Sequence, residues 1–371
     1  MLGECLKITA FVQDRGACTG YRVGQPVNRI KTLGLAEVHV SGSGDRRIAE
    51  ELDRSDVVFL SRAASDTSFK FVSELQRLGK KIVYDLDDNM FDISPMSPHY
   101  RELGVSPMEM SNPTGVAPLS MWTHGVDGFD VINNRIVRRD FINMVRKVDC
   151  VTVTTEPLAN VYRRYNDNVY VIPNSVDFGV WHKPPDIEWN GTKVRLVYTG
   201  AANHLEDWMF VLPVLEDLQC RYPNLTIISV GMDWKFMQSK LDSSRVEAHG
   251  WVDFDAYPWM MKTLCADIAI APIEMTTFND CRSSIKWVEH SSMKTPVVAT
   301  DFGPYKRDME HGKTGMLVKT RDDWNKALSV LIENRNYRNE LGENAYNHCK
   351  LNFNLDFMVD KWMNVFNAVL K

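Results

Sequence analysis

The chain lacks what would commit it to a membrane, to nucleic acid or to an oxidising compartment. No segment of its 371 residues stays apolar for the roughly 20 positions that a bilayer-spanning helix needs. Met1 leads directly into a strand-like LKITAFV with no basic flank, long apolar core or small-residue cleavage site. We therefore expect no signal peptide and at most peripheral membrane contact. Lys and Arg number 43 against 48 Asp and Glu, a net charge of −5, which excludes a general basic field for nucleic acid or anionic lipid. The seven cysteines (Cys5, Cys18, Cys150, Cys220, Cys265, Cys281, Cys349) are scattered, odd in number and free of any C-x-x-C pair. That pattern points to a reduced, cytoplasmic protein. No internal sequence repeat is present either.

What is there is ordinary globular material, 44% hydrophobic and 25% charged, enough for two domains. Short β-branched runs alternate with helical patterns, the habit of parallel α/β layers. In the first half the reading gives strands near Lys7–Val12, Glu37–Val40, Val57–Ser61, Lys81–Asp85, Cys150–Thr154 and Val169–Ile172, with helices such as Phe69–Leu78, Arg135–Val148 and Pro157–Tyr165 between them. In the second, strands near Val194–Thr199, Leu225–Val230, Val246–Ala248, Ile268–Pro272, Pro296–Thr300 and Gly315–Val318 are separated by helices near Glu206–Arg221, Tyr257–Cys265, Ser284–Ser292 and Asp322–Asn334. A Pro- and Gly-bearing stretch, residues 173–191, discourages either regular element and divides the halves. The expectation is an α/β protein of two Rossmann-like domains facing across a cleft, residues 1–182 and 183–352, closed by an amphipathic helix in 353–371.

The most informative stretch runs from Ala271 to Val318. A loop ending in Ser283-Ser284 opens a helix carrying Lys286 and Glu289, followed by a buried strand and a Gly-Pro turn. Free N–H groups at a helix start favour anions, so this corner suits a phosphate or diphosphate.

The segments VYTGAANHLEDW, HGWV, ADIAIAP, SSIKWVEHSSMKTPVVAT, GPY and HGKTGMLV occur here in that order. Together with GYRVGQP, KKIVYDLDDNMF, VTVTTEPLA and VIPNSVDF in the first half, they give the chain a resemblance to retaining glycosyltransferases of the GT-B fold, family-4 type (glycosyltransferase group 1), over nearly its whole length. The resemblance implies a donor-binding second domain, an acceptor-binding first domain, and a metal-independent reaction that needs no cofactor beyond a nucleotide-diphosphate sugar, with a UDP-sugar as the expected donor.

On that resemblance Glu289 accepts hydrogen bonds from the donor ribose, a role that suits a carboxylate facing a vicinal diol; a Glu that merely complements the helix dipole is the plainer reading. Relatives carry a second Glu eight residues earlier, where this chain has Cys281; adjacent Asp280 is the substitute, or simply a loop cap. Relatives also place an Arg and a Lys after the first strand of the second domain, but GAANHLED has neither. Arg282 and Lys286 are then the candidates to neutralise the diphosphate, with Ser283 and Ser284 adding hydroxyl and backbone donors. Gly200 and Ala201 would let backbone approach the donor, with His204 and Asp207 just beyond, His204 being either a cleft residue or a surface cap. Trp251 and Val252 would seat the base, unless Trp251 is plain core. Gly303, Pro304 and Tyr305 would lie under the sugar, although a simple strand-to-helix turn also favours Gly-Pro.

In the first half, Gly16, Gly20, Tyr21 and Arg22 are expected to form a flexible loop that closes over the donor and touches the acceptor, although many tight turns use the same residues. Asp85, Asp87 and Asp88 end a buried strand, where open α/β sheets place ligands; the expectation is an acceptor-binding or structural role and no metal. His99 and His124 compete as the first-domain histidine near the sugar. Ile136, Val137, Phe141, Met144, Val145 and Val148 share one face of the helix near 135–148, opposite Arg135, Arg138, Arg139 and Arg146. That basic back is a solvated surface, or it meets lipid or DNA.

The function expected is sugar transfer to a hydroxyl with retention, most simply in polysaccharide or glycoconjugate synthesis, on a carbohydrate or lipid-linked acceptor. A hydroxylated DNA base, as in phage enzymes, is a second acceptor. A non-catalytic nucleotide-sugar-binding subunit is a third reading, suggested by Cys281. The sequence assigns no oligomeric state.

Overall fold

The structure, a computed structural model, describes residues 5–12, 14, 16–95, 97, 99–110, 119–182, 192–200, 204–231 and 240–371. The chain divides into two compact units. The first comprises residues 1–14, 22–172 and 359–371, and the second residues 15–21 and 173–358.

In the first unit, β1 (Lys7–Phe11), β2 (Glu37–Ser41), β3 (Val57–Ser61), β4 (Lys81–Leu86), β7 (Cys150–Val153) and β8 (Val169–Val171) form a six-stranded parallel sheet ordered β2-β1-β3-β4-β7-β8. A separate antiparallel pair joins β5 (Met108–Met110) to β6 (Leu119–Trp122). In the second unit, β9 (Val194–Thr199), β10 (Leu225–Val230), β11 (Val246–His249), β12 (Ile268–Ala271), β13 (Val297–Thr300) and β14 (Met316–Val318) form another six-stranded parallel sheet, ordered β11-β10-β9-β12-β13-β14. Both are Rossmann-like α/β layers, as the alternation of elements predicts.

The central strands are continuous apolar runs because parallel sheets bury both faces. Every residue of β9 and β10 is buried. Alternation then sorts the side chains: Leu196 and Tyr198 pack with Trp208, Leu212 and Trp324 on one face, and Val197 packs with Trp287 and Val297 on the other.

Helices supply the covering layers. In chain order the first seven are α1 (Ala17–Thr19), α2 (Gln25–Thr32), α3 (Ile48–Arg54), α4 (Asp66–Arg77), α5 (Tyr100–Leu103), α6 (Val131–Lys147) and α7 (Glu156–Tyr162). Then follow α8 (Phe178–Trp181), α9 (Leu205–Arg221), α10 (Tyr257–Thr263), α11 (Thr277–Asp280), α12 (Ile285–Ser292), α13 (Gly303–Asp308), α14 (Arg321–Glu333), α15 (Arg335–Asn352) and α16 (Leu355–Ala368).

Several local expectations differ from what is found. The expected flexible loop at Gly16, Gly20, Tyr21 and Arg22 is helical: α1 passes through a π-helical turn, Gly20–Gly24, into α2. Arg22 is 1% exposed, ion-paired to Asp85 at 2.7 Å and set over the Trp362 ring at 5.0 Å, so it is core rather than a loop residue free for an acceptor. Helix α6 begins four residues before the expected Arg135, because Asp130 caps it by accepting from Ile132 and Asn133 N–H. Its inner face uses Asn134, Phe141, Met144 and Val145, while Ile136 is exposed.

The sequence reading also missed α15, whose few apolar residues give a weak stripe. It packs on α12, and its Gly342 meets the chain just after that helix, where an added Cβ would fall 2.0 Å from the Lys294 carbonyl oxygen. The boundary between the two halves of the chain lies at 172/173, earlier than the expected 182/183, because Val176, Phe178 and Trp181 are buried in the second core.

Candidate functional site

The order of the second sheet decides where a ligand can sit. Strands β9 and β12 are neighbours, yet the chain leaves β9 toward β10 on one side and β12 toward β13 on the other. The connections diverge there and open a crevice beyond the carboxyl ends of the two strands. Residues after β9 and after β12 line it, and these contain most of the second-half candidates.

After β9, Gly200 donates its N–H to the Val230 carbonyl at 2.9 Å. The Ala201 position lies outside the described residues. His204 ends that connection and is 7% exposed, so it is not a surface cap. Its Nδ1 lies 2.7 Å from Asp207 Oδ2, and the other Asp207 oxygen accepts the Glu274 N–H at 2.8 Å. The loops after β9 and β12 are thereby tied together. On the opposite ring edge, His204 Nε2 lies 3.2 Å from an Arg282 guanidinium nitrogen and 3.4 Å from Lys286 Nζ. Lys286 also sits over the Tyr198 ring at 5.2 Å and Arg282 over the Phe278 ring at 5.6 Å. Neither cation is ion-paired to a carboxylate among the described residues.

Burial, then the Lys286 and Arg282 charges, pushes His204 down to about 3, so the imidazole is neutral. Burial opposes ionisation of Asp207, but the His204 bond and the neighbouring cations together hold it below the usual carboxylate range. Burial and the Arg282 charge bring Lys286 down to about 8, against the pull of Asp207 and Glu289. The result is a cluster of positive charge at the sheet's switch point whose countercharge stands behind an imidazole.

Helix α12 supplies the next layer. Ser284 is its N-cap residue but makes no side-chain cap; its hydroxyl donates to Asp308 at 2.6 Å. Ser283 Oγ accepts from Asn174 at 2.9 Å. With its hydroxyl proton given to Asp308, Ser284 can donate to a ligand only through its main chain, contrary to the expectation of a hydroxyl donor. Asp280 is tied to Arg307 at 2.6 Å and is partly exposed, and Cys281 beside it is buried.

Glu289 is 4% exposed, which rules out a solvated residue that merely complements the helix dipole. Its carboxylate accepts from Tyr21 at 2.6 Å and Tyr257 at 3.3 Å. Burial pushes it up to about 7 in spite of those bonds and of Lys286. Tyr21 is held by an edge-on contact with Phe254, ring centroids 4.7 Å apart. Gly303 adopts φ +52°, and a Cβ there would lie 3.2 Å from Asp280 Cα, so a glycine is required where α13 starts. Pro304 and Tyr305 are buried beside it. Trp251 is 61% exposed and is not core; Val252 is partly buried.

The first-unit candidates are placed differently. Asp87 and Asp88 share Arg62, at 2.6 and 3.0 Å, and Asp85 bonds Arg22 and Thr152, so these acids have a structural explanation. No group of three or more His, Cys, Asp or Glu with metal-binding geometry occurs among the described residues. His99 is exposed at the start of α5; His124, also exposed, accepts the Val131 N–H at 3.2 Å.

Sequence reasoning thus singled out His204, Arg282, Lys286 and Glu289, which the second unit gathers. It missed Asp207 and Tyr257 as partners and assigned Tyr21 elsewhere. The HxxD spacing of His204 and Asp207 at a helix start was a usable signal; nothing local marks either tyrosine.

Residues 193–334 match the family model described as Glycosyl transferases group 1. No curated protein matches the chain. Among solved structures, HepE of Anabaena in complex with UDP and glucose is similar at 13% identity and a TM-score of 0.66, over 98% of this chain and 100% of that one. Sucrose-phosphate synthase from Thermosynechococcus elongatus is similar at 13% identity and 0.65, over 98% and 99%. A glycosyltransferase from Rickettsia africae is similar at 12% identity and 0.66, over 99% of each chain. The fold is that of the GT-B glycosyltransferases.

Proposed function

We propose that this chain, a GT-B protein whose second domain is that of a group 1 glycosyltransferase, moves a sugar from a nucleotide-diphosphate donor to a hydroxyl acceptor with retention. The observation that carries this reading is the convergence of Arg282 and Lys286 on neutral His204 at the β9/β12 switch point. Charge builds on the departing diphosphate in the transition state, and two preorganised cations with no carboxylate partner among the described residues are suited to receive it. The start of α12 adds main-chain donors from its own N-terminus. Glu289 would accept from the ribose hydroxyls once they take the place of the Tyr21 and Tyr257 phenols that bond it here.

UDP is the nucleotide we favour, because HepE of similar fold has been captured with UDP and with UDP-glucose. The chemistry proposed for the cations requires neither a metal nor a further cofactor. A carbohydrate or lipid-linked acceptor, in polysaccharide or glycoconjugate synthesis, is the simplest reading. The DNA-base alternative rested on the basic face of α6, but Arg138 stacks on Phe91, Arg146 on Tyr165, and Arg139 pairs with Asp140. That engagement weakens the face as a phosphate-binding surface. No helix among the described residues is long and apolar enough to cross a membrane. The location we favour is cytoplasmic, on the scattered cysteines of the sequence.

Thermal shift across UDP-, GDP-, ADP- and dTDP-sugars, followed by detection of nucleoside diphosphate release, tests the reading. A ligand that binds only the folded form raises apparent stability with the logarithm of its concentration. Stabilisation and release with one donor class are expected. Stabilisation without release or transfer would favour the non-catalytic subunit, and no response to any donor would overturn the proposal.

A further inference from the structure

Arg282 and Lys286 both approach one nitrogen of one imidazole, His204 Nε2, at 3.2 and 3.4 Å. Arg and Lys have only N–H donors to offer, so the ring nitrogen between them must be an acceptor. An imidazole has one acceptor nitrogen only when it is neutral and its proton is on the other. The other nitrogen, Nδ1, lies 2.7 Å from Asp207 Oδ2. A second Arg282 nitrogen also stands 3.4 Å from Nδ1, but the Asp207 oxygen is far closer to that nitrogen, at 2.7 Å, and as an acceptor it requires the proton there. Asp207 cannot easily turn away, because its remaining oxygen accepts the Glu274 main-chain N–H at 2.8 Å.

We infer that Asp207 is a positioning residue: it holds the His204 proton on Nδ1, so that Nε2 presents the lone pair on which Arg282 and Lys286 are aligned. The purpose of the arrangement follows from where the negative charge is. A carboxylate in direct contact with the two cations would consume the donors that a ligand needs. Placed one ring behind them, Asp207 offsets their mutual repulsion while leaving their remaining N–H bonds open to a diphosphate. The identity of that ligand rests on the function proposed above; the protonation of His204 does not.

The test begins without substitution. Nitrogen-15 NMR of protein labelled at histidine, with His204 assigned by loss of its signal in His204→Gln, reads the tautomer directly, and Nδ1–H is expected. In Asp207→Asn the carboxamide can keep the Glu274 bond through its oxygen and turn its N–H₂ to Nδ1. His204 should then become the Nε2–H tautomer, aiming a hydrogen at both cations. Affinity for inorganic pyrophosphate, measured by calorimetry, should fall about tenfold, the scale of one hydrogen bond to a charged group. In a His204→Ala background the same Asp207→Asn change should lower the affinity no further, since holding the proton requires the ring. An Nε2–H tautomer in the unsubstituted protein, an unchanged tautomer in Asp207→Asn, or an equal loss of affinity with and without His204 would each overturn the inference. If the unsubstituted protein binds neither pyrophosphate nor UDP, the proposed function fails, and the two tautomer measurements still decide the role of Asp207.

Discussion

The Tyr21 hydroxyl donates to Glu289 Oε1 at 2.6 Å, joining residues 268 positions apart inside the second unit. Tyr257 approaches the other oxygen at 3.3 Å. Two phenols thus occupy a buried carboxylate in the way that a vicinal diol would.

That carboxylate gives the first prediction. Burial raises Glu289 from 4.5 to about 7, so the native state keeps a proton that the unfolded chain has released. Its stabilising contribution is fully present below pH 4.5 and is lost as pH rises to about 7. Glu289→Gln should flatten the decline of stability across that window, and by the upper end should recover on the order of 2–3 kcal/mol relative to wild type. Urea midpoints from pH 4.5 to 8 check this, and parallel profiles would count against it.

His290 works in the opposite sense. Burial, and then the charge on Lys286, pushes it from 6.5 down to about 3, and neither ring nitrogen has a hydrogen-bond partner among the described residues. The native state therefore resists a proton that the unfolded chain takes up, so this contribution is present above pH 6.5 and is lost as pH falls towards 3. His204 is shifted the same way. Replacing His290 by Leu removes an unpaired buried polar group; a gain of about 1 kcal/mol at neutral pH and reduced acid sensitivity are expected. Calorimetric melting at pH 5 and 7.5 reads both.

The Arg22–Asp85 pair is buried on both sides, at 1% and 0% side-chain exposure. Asp85→Ala strands a guanidinium in the first core and should cost about 3–5 kcal/mol. Replacing both partners with apolar residues, Arg22→Met with Asp85→Leu, should restore much of the loss. Denaturant unfolding of the single and double variants measures the difference; equal destabilisation by both would show that the charge was not the cause.

Lys286→Ala should lower kcat on the order of 100-fold while changing donor affinity much less, if the ammonium acts chiefly on the charge that develops during transfer. Steady-state kinetics with the donor found by thermal shift, paired with calorimetric affinity, separates the two effects. Equal losses in kcat and affinity would assign Lys286 to ground-state binding.

Much of this architecture was readable from the chain alone. The apolar runs Val194–Thr199 and Leu225–Val230 become strands with those same ends, because a parallel core strand has little choice of environment. Arg282, Lys286 and Glu289 could be placed near one corner because a loop and a helix fix them within eight residues of one another. Helix α15 was not legible, since its buried face, Arg338, Leu341, Gly342, Ala345 and Cys349, is made largely of small residues and one arginine rather than a broad apolar stripe. Nor was the fate of Arg22, where a glycine-bearing segment that reads as a loop is wound into a helix.

The two α/β layers, the order of their elements and the helix start that carries the cations were set by local periodicity and chain order. Which polar groups were already taken was settled by folding alone. Arg22 was lost to Asp85, Asp280 to Arg307 and the Ser284 hydroxyl to Asp308, while Arg282 and Lys286 were left facing His204. Hydrogen bonds and ion pairs are satisfied by whatever folding brings within about 3 Å, and that proximity depends on packing between distant segments.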